Sequence, residues 1–412
     1  MYMVNIAFTG GGTGGHIYPG LAVAAELKRL FQQARLPGQT RLPGQTRLPG
    51  QTSLLQQDYR IFWIGSNTGM DRALVEGAAL EFFGIPAGKL RRYITLKTIP
   101  DFFRVIAGFF AARRILKREG VCLIFSKGGF VSVPPCAAAA SLGIPVFTHE
   151  SDFSPGLATR INARFAARSA GRLFTAYEET ARFLPAALRE RITVSGNPVR
   201  SAFRSADAAR GRAFLSLGQD ARILLVLGGS LGADEINGLV RAALPELTRH
   251  YTVVHQTGPA KDWDMSASER YRPYSFIGEE MPDVLAAAEL VLGRSGAGTV
   301  WESAALGKPM VLIPLSGSGT RGDQVENARF FEKAGAAVVL SGAEANRGNL
   351  ARVVNALALD DEKRRAMSAA ALKIGKADGK ADGKADGASI IAHHIAEVVE
   401  SYNDSAGSKE HK

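Results

Sequence analysis

The chain has 412 residues, a length that predicts about two domains of roughly 200 residues each. Apolar residues make up 46% and charged residues 22%, which excludes disorder, collagen and coiled coil for the chain as a whole, and no apolar run approaches the 18 or so residues of a membrane span. The net charge of +11 is one-sided: residues 1–199 hold 24 basic and 12 acidic side chains and residues 200–412 hold 26 and 27, so the first half predicts an anionic partner, whether nucleic acid, acidic lipid or a phosphorylated substrate. The first eight residues carry no basic flank before the glycines, so a cytoplasmic protein is expected. Cys122 and Cys136 sit in apolar surroundings without metal spacing and are expected as small buried side chains.

Short β-rich runs alternate with helical patterns along both halves: 4–8, 61–64, 123–126, 146–149 and 173–175, then 223–227, 252–255, 290–292, 310–313 and 337–340. This alternation predicts two doubly wound parallel α/β sheets. The join is expected at Gly196-Asn197-Pro198-Val199-Arg200, after a strand-like stretch at 192–194. Ligands of doubly wound sheets bind beyond the carboxyl ends of the strands, so a cleft between the two halves is the expected site. Two tandem repeats interrupt the pattern, Arg-Leu-Pro-Gly-Gln-Thr three times over 35–52 and Lys-Ala-Asp-Gly three times over 376–387. Their glycines and prolines argue against helix and strand, and their periods are too short for a solenoid, so surface loops are expected.

The first strand runs into Thr-Gly-Gly-Gly-Thr-Gly-Gly-His at 9–16 and then a helix through about Phe31. Gly10, Gly12 and Gly15 satisfy the dinucleotide spacing, but Gly65, Ser66 and Asn67 after the second strand supply no acid for a ribose, and a phosphate-binding P-loop would need lysine where His16 stands. The feature recurs at 127–134 (Lys-Gly-Gly-Phe-Val-Ser-Val-Pro), at 228–233 (Gly-Gly-Ser-Leu-Gly-Ala) and at 294–299 (Arg-Ser-Gly-Ala-Gly-Thr). Four strand, glycine-turn and helix units predict anion cradles and phosphate chemistry, whereas any one alone reads as a tight, well-capped turn.

On these runs, together with His-Glu-Ser-Asp at 149–152, Gly196–Arg200, His-Gln-Thr-Gly at 255–258, Phe276-Ile277 and Asp-Gln-Val-Glu-Asn at 323–327, the chain resembles the MurG family over residues 3–402 apart from the repeats. These are the glycosyltransferases that convert lipid I to lipid II in peptidoglycan synthesis. The resemblance implies the GT-B fold, two Rossmann-like doubly wound domains facing a cleft. Residues 1–197 would form the acceptor and membrane-facing domain, 198–387 the UDP-N-acetylglucosamine donor domain, and 388–403 would cross back to the first.

It further implies an inverting attack of the C4 hydroxyl of the muramoyl sugar on the donor's anomeric carbon, with UDP leaving and no cofactor or metal. His16 is the implied base, with His149 a second candidate. For UDP-N-acetylglucosamine the matching positions are Thr13, Gly14, Gly15, Asp152, Arg200, Ser230, Ile277, Glu302 and Gln324; for the acceptor diphosphate they are Gly12, Gly128 and Gly129. Asp152 and Asp323 stand where some members carry amides, so an amide donor is replaced by a charged acceptor. The lone D-x-D, Asp262-Trp263-Asp264, lacks a nearby ligand cluster and reads as a loop.

Residues 87–119 carry nine basic and two acidic side chains, with Phe102, Phe103, Ile106, Phe109 and Phe110 at helical spacing. This pattern suits either an anionic membrane surface or a core helix with a basic face, and no nucleic-acid module accompanies it. The family's patch favours peripheral attachment to the cytoplasmic face of the membrane. Other readings of the same residues are a related GT-B transferase or sugar-nucleotide epimerase, and a non-catalytic UDP-sugar or membrane-binding protein.

Overall fold

The structure, a computed structural model, describes residues 3–34, 58–88, 98–229, 232–259, 266–317, 322–376 and 386–410. The repeat at 35–52, all but the ends of the repeat at 376–387, Ser230 and the run Asp262-Trp263-Asp264 lie outside the described residues. The chain divides into two compact units: unit 1 comprises Met1–Ser151, Pro155–Arg200 and Ala385–Lys412, and unit 2 comprises Asp152–Ser154 and Ser201–Lys384.

Unit 1 is a seven-stranded parallel sheet of β1 (Val4–Thr9), β2 (Tyr59–Ser66), β3 (Glu81–Ile85), β4 (Val121–Ser126), β5 (Val146–Glu150), β6 (Arg172–Thr175) and β7 (Ile192–Val194), in the order β3-β2-β1-β4-β5-β6-β7. Its helices are α1 (Gly14–Ala34), α2 (Asp71–Gly77), α3 (Thr98–Arg118), α4 (Val133–Ser141) and α5 (Leu157–Arg168). The period-2 geometry of a strand sends alternate side chains to opposite faces. In β1 this puts Ile6 and Phe8 into one core cluster and Ala7 into another; in β4, Leu123 and Phe125 join the first and Ile124 the second. Both faces are apolar, so both need helices, and the near-continuous hydrophobic runs of the sequence are the consequence.

Unit 2 repeats the plan with β8 (Ile223–Leu227), β9 (Thr252–Gln256), β10 (Tyr271–Tyr274), β11 (Leu290–Gly293), β12 (Met310–Leu312) and β13 (Ala337–Val339), ordered β10-β9-β8-β11-β12-β13 and all parallel. Its helices are α6 (Ala208–Phe214), α7 (Asp234–Leu247), α8 (Met281–Ala287), α9 (Ala297–Ala305), α10 (Asp323–Lys333), α11 (Arg347–Leu359) and α12 (Asp361–Gly375). The last helix, α13 (Gly387–Glu410), packs in unit 1, where Ala388, Ile391, Ala392, Ile395 and Val399 share a core with Val23, Leu27 and Phe31 of α1.

The structure adds two strands to those expected, β3 and β10, each at the edge of its sheet. An edge strand needs hydrogen bonds on one side only, so Gly84 and Pro273 are tolerated there, and the weak apolar pattern hides the strand in the sequence. The first helix also runs three residues past Phe31, to Ala34.

Candidate active site

In each unit the strand order reverses direction at one place, between β1 and β4 and between β8 and β11. Adjacent strands that diverge in this way leave a crevice at their carboxyl ends. The four glycine-bearing turns follow these four strands, so they come together as two pairs, one pair at each switch point.

In unit 1 the two turns interlock. A Cβ at Gly12 would stand 2.7 Å from the Phe130 ring, and one at Gly129 would stand 2.5 Å from the Gly11 carbonyl and 3.0 Å from Cδ2 of His16. Gly12 and Gly129 also have φ of +88° and +78°, a region that other residues rarely enter. The His16 ring, on the first turn of α1, therefore lies half-buried against the Gly128–Gly129 turn of the neighbouring strand. Thr13 precedes α1, and Gly14 and Gly15 begin it beside His16, with Thr13 and Gly15 exposed. The guanidinium of Arg200 lies 5.1 Å from the centre of the Tyr18 ring, which brings it to the same end of α1.

The loop is held from below by Asp71, the first residue of α2, which is 1% exposed. Its carboxylate accepts the Gly12 N–H at 3.0 Å and the Ser66 N–H at 3.3 Å. Burial raises its pKa above the ordinary carboxylate value, while the two amides pull it back down. Asp71 had no signal in the sequence beyond an acid in the first turn of a short helix. Two of the three amides expected for the acceptor diphosphate are thus engaged within unit 1: Gly12 donates to Asp71, and Gly128 donates to Ser126 Oγ at 3.1 Å.

The second candidate base, His149, is fully buried at the end of β5. Its Nε2 lies 2.9 Å from the Gly196 carbonyl, which can only accept, so the ring carries its proton there. Burial first, then the nearby charge of Lys127, hold its pKa well below the ordinary value, so the ring is neutral. This histidine fastens β5 to the turn after β7 and does not reach the surface as a base. Beside it, buried Lys127 donates to Ser151 Oγ, and Ser151 Oγ donates to Asn197 Oδ1 at 2.7 Å, which joins the ends of β4, β5 and β7.

In unit 2 the residues at 152–154 meet the start of α10. Asn327, fully buried, donates from Nδ2 to Asp152 Oδ1 and to the Ser295 carbonyl, both at 3.1 Å, and accepts the Phe153 N–H at 2.9 Å; Ser154 Oγ donates to Glu326. Gln324 lies in the same cluster: its carbonyl accepts from Ser295 Oγ at 2.7 Å and its Oε1 accepts the Leu315 N–H at 3.0 Å. Glu302 is half-buried on α9, which starts at the Arg294–Gly298 turn. Asp152, Gln324 and Glu302 are thus set around the turn that follows β11. Arg294 of that motif is structural: it pairs with Glu235 at 2.7 Å and donates to the Ile313 carbonyl at 3.1 Å.

Ile277 is 2% exposed, in the loop after β10, and the neighbouring Phe276 is 56% exposed. On β9, His255 has Tyr271 Oη 3.1 Å from Nδ1 and Asn237 Oδ1 3.0 Å from Nε2, while Asn237 Nδ2 donates to the Thr257 carbonyl at 2.9 Å. Burial pushes the His255 pKa down from 6.5 to about 4. Both buried histidines are neutral when folded and take up a proton when unfolded. The unfolded state binds more protons below pH 6.5, so stability is full above that value and falls as pH drops. For His255 alone the expected loss at pH 5 is about 2 kcal/mol. Urea titrations at pH 7.5 and pH 5 check this, and His255→Gln should show a smaller difference between the two pH values than the parent; an equal difference would refute it.

Two doubly wound units, each with paired glycine turns at its switch point, constitute the GT-B architecture of nucleotide-sugar enzymes. The chain belongs to glycosyltransferase family 28, whose N-terminal domain matches residues 6–41 and 51–170 and whose C-terminal domain matches residues 223–385. The gap at 42–50 falls inside the first tandem repeat. A UDP-N-acetylglucosamine--N-acetylmuramyl-(pentapeptide) pyrophosphoryl-undecaprenol N-acetylglucosamine transferase of Treponema denticola is 45% identical, over 90% of this chain and 94% of that protein. A relative of the same name from Lachnospira eligens is 38% identical over 87% and 92%. Among solved structures, MurG of Acinetobacter baumannii matches with a TM-score of 0.63 and 23% identity, over 96% of this chain and 99% of that one. A UDP-N-acetylglucosamine 2-epimerase of Neisseria meningitidis matches with a TM-score of 0.61 and 12% identity, over 97% and 99%.

Proposed function

We propose that this protein transfers N-acetylglucosamine from UDP-N-acetylglucosamine to the C4 hydroxyl of the muramoyl sugar of undecaprenyl-diphospho-muramoylpentapeptide, with inversion at the anomeric carbon and release of UDP. The observation that carries this reading is the likeness to transferases of that name across nearly the whole chain, at 45% identity. The chemistry needs a base for the attacking hydroxyl and donors for the departing diphosphate. His16 takes the first role, since its imidazole stands at the mouth of the paired turns of unit 1, against the Gly128–Gly129 turn.

For the donor, the turn after β8 meets the diphosphate with Ser230. Glu302 accepts from the ribose hydroxyls, since a carboxylate can take two hydrogen bonds. The backbone at Ile277 meets the uracil, and Gln324 and Asp152 read the sugar. For the acceptor, the turns that carry Gly12, Gly128 and Gly129 meet the lipid diphosphate, helped by the positive end of the α1 dipole. Transfer of radiolabelled N-acetylglucosamine to lipid I by the purified protein tests the reading; absence of transfer would sink it.

No helix among the described residues is long and apolar enough to cross a membrane. The lipid acceptor is met instead by one face of α3, where Phe102, Phe103 and Phe110 are 60%, 63% and 63% exposed and Ile106 lies between them. Arg104, Arg114, Lys117 and Arg118 of the same helix are exposed. Aromatic rings that enter the headgroup region beside cations favour an anionic bilayer surface, on the cytoplasmic side where the nucleotide-sugar is found. Replacing the three phenylalanines by serine removes on the order of 1.5–3 kcal/mol per ring, so affinity for phosphatidylglycerol vesicles should fall at least about 100-fold in sedimentation. Undiminished binding would place the membrane contact elsewhere.

A further inference from the structure

Gln256 closes β9 and is 4% exposed. Its amide is used in two directions. Oε1 accepts the Ile277 N–H at 2.9 Å, and Nε2 donates to the Gly229 carbonyl at 3.3 Å. The partners fix the orientation of the amide, because a backbone N–H can only donate and a carbonyl can only accept. The same Gly229 carbonyl takes the Gly232 N–H at 3.2 Å, a bond that closes the turn after β8. β9 lies between β8 and β10 in the sheet, so one buried side chain joins the backbone following both of its neighbours. These are the carboxyl ends of adjacent strands, where doubly wound sheets take their nucleotides.

We propose that Gln256 is a positioning residue for the nucleoside diphosphate. It holds the glycine turn, which meets the diphosphate, at a set distance from the segment at Ile277, which meets the base. This inference rests on the donor reading given above. A nucleotide that touches both segments gains from having them already placed, since the ordering of the loops is then not charged to binding. Loosening the tie therefore weakens a ligand that spans both segments.

Two variants separate the possibilities. Gln256→Leu keeps the volume and loses both bonds. Gln256→Glu keeps the size and the acceptor for Ile277 N–H but sets a carboxylate oxygen against the Gly229 carbonyl, and it guards against a simple failure of the leucine variant to fold. UDP binding measured by calorimetry at pH 7.5 should weaken about tenfold in each, the scale of one or two buried hydrogen bonds. In the glutamate variant binding should recover as pH falls and the protonated carboxyl donates again. In the transfer assay the KM for UDP-N-acetylglucosamine should rise in parallel while the KM for lipid I stays within twofold. Wild-type binding of UDP with less than threefold weakening in both variants, or a lowered melting temperature with unchanged UDP affinity, overturns the role of Gln256 alone. Failure of the wild-type protein to bind UDP overturns the donor reading as well.

Discussion

His16→Ala is expected to lower the turnover of N-acetylglucosamine transfer by about 10²–10⁴-fold, the usual contribution of a positioned general base. UDP affinity should stay within about twofold. The expectation follows from where the two candidate histidines lie. His16 is half-buried on the first turn of α1, its ring against Gly129 at the mouth of the unit 1 turns. His149 is fully buried, neutral, and already bonded to the Gly196 carbonyl. Its replacement by asparagine should cost stability of unit 1 and leave a correctly folded fraction that still transfers sugar. Retention of more than about a tenth of wild-type turnover by His16→Ala would remove it as the base.

Asp71→Ala is the second large effect expected, and it acts on fold and activity together. The change leaves two backbone N–H groups, the buried one of Ser66 and the part-buried one of Gly12, without their acceptor. Each such loss costs about 1–3 kcal/mol, partly offset because a buried carboxylate is no longer desolvated. A net loss of about 2–4 kcal/mol would lower the melting temperature of unit 1 by roughly 5–15 °C. The alanine also leaves open the space that the carboxylate fills against Gly11, where a Cβ would stand 2.0 Å from Oδ2 of Asp71. With the loop released, His16 loses its fixed approach, and displacement of a catalytic group by about 1 Å can cost 10²-fold in rate. Calorimetry and the transfer assay on the same sample check both parts. An unchanged melting temperature would show that the Gly12 amide finds another acceptor, and unchanged transfer would show that the loop does not set His16.

Most of the architecture is legible in the sequence. The runs from 4–8 to 337–340 fall on strands, because strands buried on both faces must be continuously apolar and bounded by helical patterns. β3 and β10 were not legible. Edge strands carry less hydrophobic pattern, and Pro273 reads in isolation as a break. The site was legible as motifs but not as chemistry. His16 follows a strand-like run and His149 ends one, and nothing local distinguishes a ring at an open turn from one buried beneath other strands.

The sequence by itself determined the two doubly wound units, their glycine turns and the residue types available for phosphate and sugar chemistry, because turn geometry and the period of side-chain burial are local properties of the chain. Only the tertiary structure decided how those turns pair, which histidine is buried and neutral, that the Gly12 and Gly128 amides are already engaged, and that Asp71 and Gln256 hold the loops in place. The partners in these contacts lie 59 residues apart for Gly12 and Asp71 and 21 apart for Gln256 and Ile277. A hydrogen bond across such a separation is set by strand order and packing, which no local run of residues records.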